Sequence, residues 1–292
     1  MKVLLLGSSG QLGQAFQALS RTSHWPKTWS LTSATREDLD LSQSENIEKK
    51  LSVISFDLIL NAAAYTQVDL AEKETAVAET INFTAPTKIA EFCAENGKIL
   101  VHFSSDYVYA GNGNFPQTES TPIEPRNFYG ESKALADNAI SRLNFHYLIF
   151  RTSWVYSAKG KNFVKTMLKL SLTHPTLKVV SDQVGVPTYA RDLALYTVNA
   201  LKAALEKPTF PAGIYHLTNQ GEASWFDFAK AILPEHSIEP ILTKDYPTPA
   251  RRPLNSRLSL EKFESTFNLH PRNWRLALAD CLKEISTESK TS

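Results

Sequence analysis

The sequence predicts an α/β fold: a doubly wound, mostly parallel sheet with a second, smaller region interleaved at its C-terminal end. Three observations carry this. Short apolar runs rich in β-formers alternate with stretches of helical periodicity. The first run passes directly into three evenly spaced glycines. Beyond about Thr152 the alternation loosens and prolines gather, from Pro175 to Pro253. At 292 residues the chain can bury a sizeable core.

In chain order, the strands are expected at Lys2 to Leu6, Thr28 to Leu31, Asp57 to Asn61, Lys98 to Ser104 and Tyr147 to Thr152. Each is apolar enough to be covered on both faces, as parallel strands are. Val68 to Ile81 and Thr84 to Asn96 carry Ala, Glu, Lys and Ile at helical spacing, with Asn96-Gly97 as a stop. Leu177 to Val180 and Gly213 to Leu217 read as further strands able to return to the first sheet. The final S-T-E-S-K-T-S reads as a solvated tail.

Lys plus Arg number 31 against 30 Asp plus Glu, so no global field recruits nucleic acid or an anionic membrane. Cys93 and Cys281 lie far apart without a CxxC partner, which argues for a reducing compartment and against zinc. No apolar run reaches membrane-spanning length, and the chain opens on K-V-L-L-L instead of a signal peptide. A cytoplasmic protein is expected.

The chemistry begins at G-S-S-G-Q-L-G. Gly7 permits a sharp turn off the strand, Gly10 lets the backbone approach a pyrophosphate, and Gly13 lets the new helix pack on the sheet. The helix N-terminus then offers N–H groups to phosphates. The second strand's neighbourhood, W-S-L-T-S-A-T-R, has no carboxylate to hold a ribose 2'-hydroxyl. Thr32, Ser33 and Arg36 there suit a 2'-phosphate, so NADPH is preferred over NADH; the alternative is that Arg36 is an ordinary surface arginine. The third strand ends in N-A-A-A-Y-T-Q-V-D, whose small residues let a flat ring lie against the backbone or a helix pack tightly. The fourth delivers Ser104, Ser105 and Asp106 to the same rim, as ligands for a substrate or as a turn.

Tyr129 and Lys133 stand four apart in F-Y-G-E-S-K, on one face if the segment is helical. An ammonium beside a phenol lowers its pKa from about 10 toward working pH. Such a tyrosine can protonate a carbonyl oxygen while hydride reaches the carbon, with Ser105 hydrogen-bonded to that oxygen. Residues 1–155 thus read as a dinucleotide-binding domain of Rossmann type, also receiving strands from 177–220. Residues 156–292 read as mainly a substrate-binding region.

Together these segments resemble the extended short-chain dehydrogenase/reductase superfamily, and within it the dTDP-4-dehydrorhamnose reductases. The more specific matches are S-D-Y-V-Y, R-T-S-W-V-Y, D-Q-V-G-V-P-T and R-P-L-N-S. The resemblance implies NADPH-dependent reduction of dTDP-6-deoxy-L-lyxo-4-hexulose to dTDP-L-rhamnose. It puts Gly10, Gln11 and Leu12 on the pyrophosphate, Asp40 and Leu41 near the adenine, and Ala63, Ala64, Tyr65 and Thr66 along the nicotinamide half. Ser105, Tyr129 and Lys133 are the implied catalytic set, with Lys133 also on the ribose. Many relatives carry threonine at Ser105, and the hydroxyl is kept. Asp106 and Trp154 are implied contacts of the nucleotide-sugar, Trp154 being otherwise a core aromatic, and Arg252 is an implied diphosphate ligand. Some relatives dimerise around magnesium held by glutamates where this chain has Ala15 and Arg191, neither of which supplies an oxygen ligand. No metal is therefore expected, and a monomer is favoured over a metal-independent homodimer. The competing readings are an epimerase or dehydratase of the superfamily and a non-catalytic subunit like that of methionine adenosyltransferase. Tyr107 after Asp106, where a dehydratase has glutamate, disfavours dehydration. The retained Ser105, Tyr129 and Lys133 favour an enzyme.

Overall fold

The computed structural model describes residues 1–291. Strands β1 (Lys2–Leu6), β2 (Ser30–Ala34), β3 (Leu58–Asn61), β4 (Ile99–Ser105) and β5 (Tyr147–Thr152) form a parallel sheet in the order β2-β1-β3-β4-β5, and Gly213–His216 extends it beyond β5. Alternate residues of β1 explain why the sheet must be sandwiched. Val3 and Leu5 pack with Phe16, Leu193 and Leu201 on one side, while Leu4 and Leu6 pack with Ile47, Ile89 and Cys93 on the other. Helix Gln11–Leu19 lies against helix Ala190–Glu206 on the first side. The strand order reverses between β1 and β3, so the connections leaving their carboxyl ends pass to opposite faces of the sheet and leave a crevice, the usual ligand position in such sheets.

The structure moves three expected elements. β2 starts two residues and ends three residues later than Thr28 to Leu31, because Ser30 N–H bonds to the Met1 carbonyl and sets the pairing Lys2 with Ser30 through Leu6 with Ala34. The helix expected over Val68 to Ile81 is broken into Val68–Ala71, Thr75–Glu79 and a π-turn, Thr80–Thr84, that runs into Ala85–Glu95. Pro86 has no N–H to return to the Asn82 carbonyl, which disrupts the ladder at this point. Buried Asn82 meanwhile serves Tyr65, accepting from its N–H at 2.8 Å and donating to its carbonyl at 3.0 Å. The final helix, Trp274–Thr291, continues through most of the segment read as a tail; Ser292 lies outside the described residues.

Of the two later strands, Gly213–His216 joins β5, but Thr176–Val180 pairs with Ser237–Ile241 in a separate ribbon. Its Leu177 and Val179 belong to a different apolar cluster, with Phe228 and Trp274, and that burial holds it away from the main sheet. The stop at Asn96-Gly97 forms as expected, with Lys98 N–H on the Cys93 carbonyl at 2.8 Å. No helix among the described residues is long and apolar enough to cross a membrane.

Candidate active site

A cleft of about 690 Å³ opens at the crevice between β1 and β3. Its floor is the glycine turn. Gly7 has φ +74, and a Cβ on Gly13 would stand 2.1 Å from the Gly7 carbonyl oxygen, so only glycine lets helix and turn approach. The helix starts at Gln11 with no side chain capping its first N–H groups, which leaves them for an anion. The Gln11 carboxamide oxygen accepts from Asn162 at 2.9 Å and Ser157 at 3.2 Å, which fixes the side chain against the segment after β5. Leu12 and Gly10 line the same floor.

At one end of the cleft stand Thr35, Arg36, Asp40 and Leu41. Thr32 and Ser33 are not there. The shifted register places Thr32 opposite Leu4 within the sheet, and Ser33 accepts from Gln17 at 3.1 Å. Thr35 replaces them beside exposed Arg36. The Asp40 carboxylate accepts from Ser42 N–H at 2.9 Å and its hydroxyl at 2.8 Å, bonds that hold it below the usual carboxylate range.

Ala63, Ala64, Tyr65 and Thr66 line the other end, together with Tyr129 and Lys133. These last two sit in helix Phe128–Ser141, started by Asn127, whose side chain accepts from Gly130 N–H at 2.8 Å. The glycine between them has a structural cause. A Cβ on Gly130 would lie 2.1 Å from the Tyr107 carbonyl oxygen, so glycine lets this helix press against the turn after β4 that carries Ser105 and Asp106. The Tyr107 and Tyr129 rings meet edge to face at 5.5 Å. Ser105 donates to Asp106 Oδ1 at 2.9 Å and accepts from Tyr107 N–H at 3.2 Å. Burial pushes the Asp106 carboxyl up to about 6, with the Ser105 hydrogen bond pulling it back, and its Oδ2 is buried without a hydrogen-bond partner.

The expected lowering of the Tyr129 pKa is not what the ligand-free chain does. Burial drives the phenol well above its ordinary 10, and the Ser105 side chain opposes this only in part. Lys133 Nζ is turned to His102 Nε2, 3.2 Å away, in place of the phenol. Burial in turn lowers the Lys133 ammonium to about 8.

Ser105, Asp106, Trp154 and Arg252 do not line this cleft. Arg252 reaches Tyr107, the ring neighbour of Tyr129, at 3.4 Å and pairs with Asp69 at 2.6 Å. Half-buried Trp154 has a left-handed backbone, φ +47, and stacks on Trp225 at 3.6 Å, so one of its faces is used within the protein. Ala15 and Arg191 share a separate cleft, where Arg191 pairs with Glu284 at 3.3 Å and Asp192 is held by Arg272 and Asn219. Among the described residues, no group of three or more His, Cys, Asp or Glu is arranged to hold a metal.

Sequence reasoning missed Asn61 and His102, whose only signal is a polar residue inside an otherwise apolar strand. It also missed Ser8, Ser9 and Lys161 on the cleft wall.

Known proteins match this chain over nearly its whole length. The dTDP-4-dehydrorhamnose reductase of Escherichia coli K12 is 39% identical over 98% of this chain and 99% of its own. A crystal structure of a dTDP-4-dehydrorhamnose reductase from Clostridium acetobutylicum superposes with a TM-score of 0.91 at 33% identity, covering 98% of this chain and all of that one. The Bacillus anthracis dTDP-4-dehydrorhamnose reductase, solved in complex with NADP, gives 0.88 at 32% identity, covering 97% and 99%. Matched from residue 1 to 287 by the family model described as the RmlD substrate binding domain, the chain belongs to that family, the dTDP-4-dehydrorhamnose reductases.

Proposed function

We propose that this chain reduces the 4-keto group of dTDP-6-deoxy-L-lyxo-4-hexulose with NADPH, giving dTDP-L-rhamnose as the last step of its synthesis. The observation that carries this is the junction of two features: a glycine-floored cleft with an uncapped helix N-terminus, and a Tyr129 phenol at its end beside the Ser105 turn. NADPH, when bound, supplies the hydride. Gly7, Gly10 and Gly13 with the backbone of Gln11 and Leu12 hold its pyrophosphate, Arg36 its 2'-phosphate, Asp40 and Leu41 its adenine end, and Ala63 to Thr66 its nicotinamide end. Tyr129 gives a proton to the carbonyl oxygen, Ser105 hydrogen-bonds that oxygen as charge develops, and Lys133 holds the ribose. Asp106, Trp154 and Arg252 take the nucleotide-sugar. Residues 1–155 with Gly213–His216 serve the cofactor, and 156–292 mainly the substrate. Buried, separate cysteines suit a cytoplasmic enzyme.

The direct test is NADPH oxidation by the purified chain with the dTDP-4-keto sugar. Oxidation is expected with it and not with other nucleotide-sugars, and no oxidation refutes the reading. In the same assay, Arg36→Ala is expected to lower the specificity constant for NADPH about tenfold, the worth of one lost charge contact, and to leave NADH nearly unchanged. Equal effects with both would show that Arg36 does not read the 2'-phosphate.

Magnesium is not expected to join two copies. Ala15 offers no oxygen and the Arg191 guanidinium repels a cation. Activity is expected to survive exhaustive chelation by EDTA, with a monomer before and after in sedimentation. A dimer that dissociates only on removal of magnesium would sink this.

A further inference from the structure

Asn61 on β3 and His102 on β4 are paired in register, and both are buried in the sheet. His102 Nδ1 lies 3.2 Å from Asn61 Nδ2, and its Nε2 lies 3.2 Å from Lys133 Nζ. The amide's second contact fixes its orientation. Asn61 Oδ1 accepts from Ala63 N–H at 3.3 Å, so Nδ2 faces His102 as a donor. Nδ1 must then be the bare, accepting nitrogen. Burial, the larger cause, keeps the imidazole neutral. Its single proton is therefore on Nε2, pointing at Lys133. Two N–H donors make no hydrogen bond, so this contact forms only when Lys133 presents a lone pair.

We infer that Asn61 and His102 are positioning residues which fix the Nε2–H tautomer and thereby weaken Lys133's hold on its proton in the ligand-free enzyme. The surroundings agree. Lys133 is 1% exposed, and burial lowers its pKa to about 8. Asp137, one turn further along the helix, attracts the ammonium; its Oδ2 is shared by Arg151 Nε of β5 at 2.8 Å and Ser104 of β4 at 2.9 Å, and its buried Oδ1 accepts no hydrogen bond, from Lys133 or any other donor. Tyr129, on Lys133's own helix, is held neutral by its raised pKa. Lys133 thus holds its proton more firmly once a ligand's oxygens arrive to accept from it. The inference deepens the proposed role of Lys133 and rests on that role only for its effect on turnover.

The test follows the Lys133 ε-carbon by NMR in ligand-free protein carrying ¹³C-labelled lysine, assigned with Lys133→Arg. In the parent, Lys133 is expected to titrate at least about one unit below the ordinary lysine value of roughly 10.4. In Asn61→Asp the new carboxylate accepts Nδ1–H, the proton leaves Nε2, and Lys133 can donate as an ammonium. In His102→Gln the carboxamide oxygen can turn to Lys133, without adding a charge. Each variant is expected to raise the midpoint by about one unit, a tenfold gain in proton affinity, and to carry the alkaline limb of kcat/KM upward with it. A Lys133 that titrates at its ordinary value in the parent overturns the inference. So does a midpoint that His102→Gln leaves unmoved in folded protein. The NMR titration needs no substrate, so inactivity toward the keto sugar would count against the proposed function and leave this result standing.

Discussion

Tyr129→Phe is expected to lower turnover by roughly two to four powers of ten, the usual worth of a positioned general acid, with NADPH affinity unchanged. The substitution is clean because the ring's own packing survives. The edge-to-face contact with Tyr107 needs only the aromatic ring, and the main-chain contact at Gly130 is untouched. What is lost is one hydroxyl. Because burial raises its pKa, that hydroxyl stays protonated throughout the neutral range and is loaded as an acid before substrate binds. Single-turnover measurement with saturating NADPH separates the chemical step from binding. Parent-like turnover in Tyr129→Phe would remove this residue from the mechanism.

The largest expected effect on stability is at Arg151. Its side chain is 1% exposed and that of Asp137 is fully buried, and Arg151 Nε donates to Asp137 Oδ2 at 2.8 Å. Arg151 Nη1 also donates to the Tyr109 hydroxyl at 2.7 Å, which in turn meets His216 Nε2 at 2.6 Å. The His216 Nδ1 lies 3.1 Å from the Ser259 carbonyl and so carries the ring's proton. This chain of bonds ties β5 to its neighbour strand and to the segment after Asn255. Arg151→Met leaves Asp137 as a buried charge without its partner, and a loss of about 3–5 kcal/mol is expected. Asp137→Leu combined with Arg151→Met removes both charges and is expected to lose clearly less than the single change, because no charge is stranded. Urea unfolding midpoints at constant slope make the comparison. A single variant within about 0.5 kcal/mol of the parent would show that the pair is not structurally important.

How much of this was legible in the chain depends on how local the cause is. β1, β5 and the glycine turn follow from adjacent residues: an apolar run covered on both faces, then glycines where the backbone turns. Tyr129 and Lys133 share a face because four-residue spacing places them so once Phe128–Ser141 is helical. The Cys93 helix stops where Asn96-Gly97 stands. By contrast, the start of β2 is set by a bond from Ser30 to Met1, and the π-turn before Pro86 appears only where a buried Asn82 is already engaged by Tyr65. Thr32 and Ser33 were assigned to the cofactor end on an unshifted strand. The register moved that place to Thr35.

The sequence by itself determined the doubly wound sheet, the glycine turn after β1 and the shared helix face of Tyr129 and Lys133, because apolar periodicity, glycine geometry and helical spacing act over a few residues. The tertiary structure alone decided that Thr176–Val180 leaves the main sheet, that Gly130 is required by the Tyr107 carbonyl, and that Lys133 turns to His102. It also decided the sign of the Tyr129 shift. A pKa answers to the balance of burial against the charges and dipoles that distant strands bring near. Here β4 supplies an imidazole to the lysine while the fold removes water from the phenol, so desolvation outweighs the attraction expected from sequence spacing.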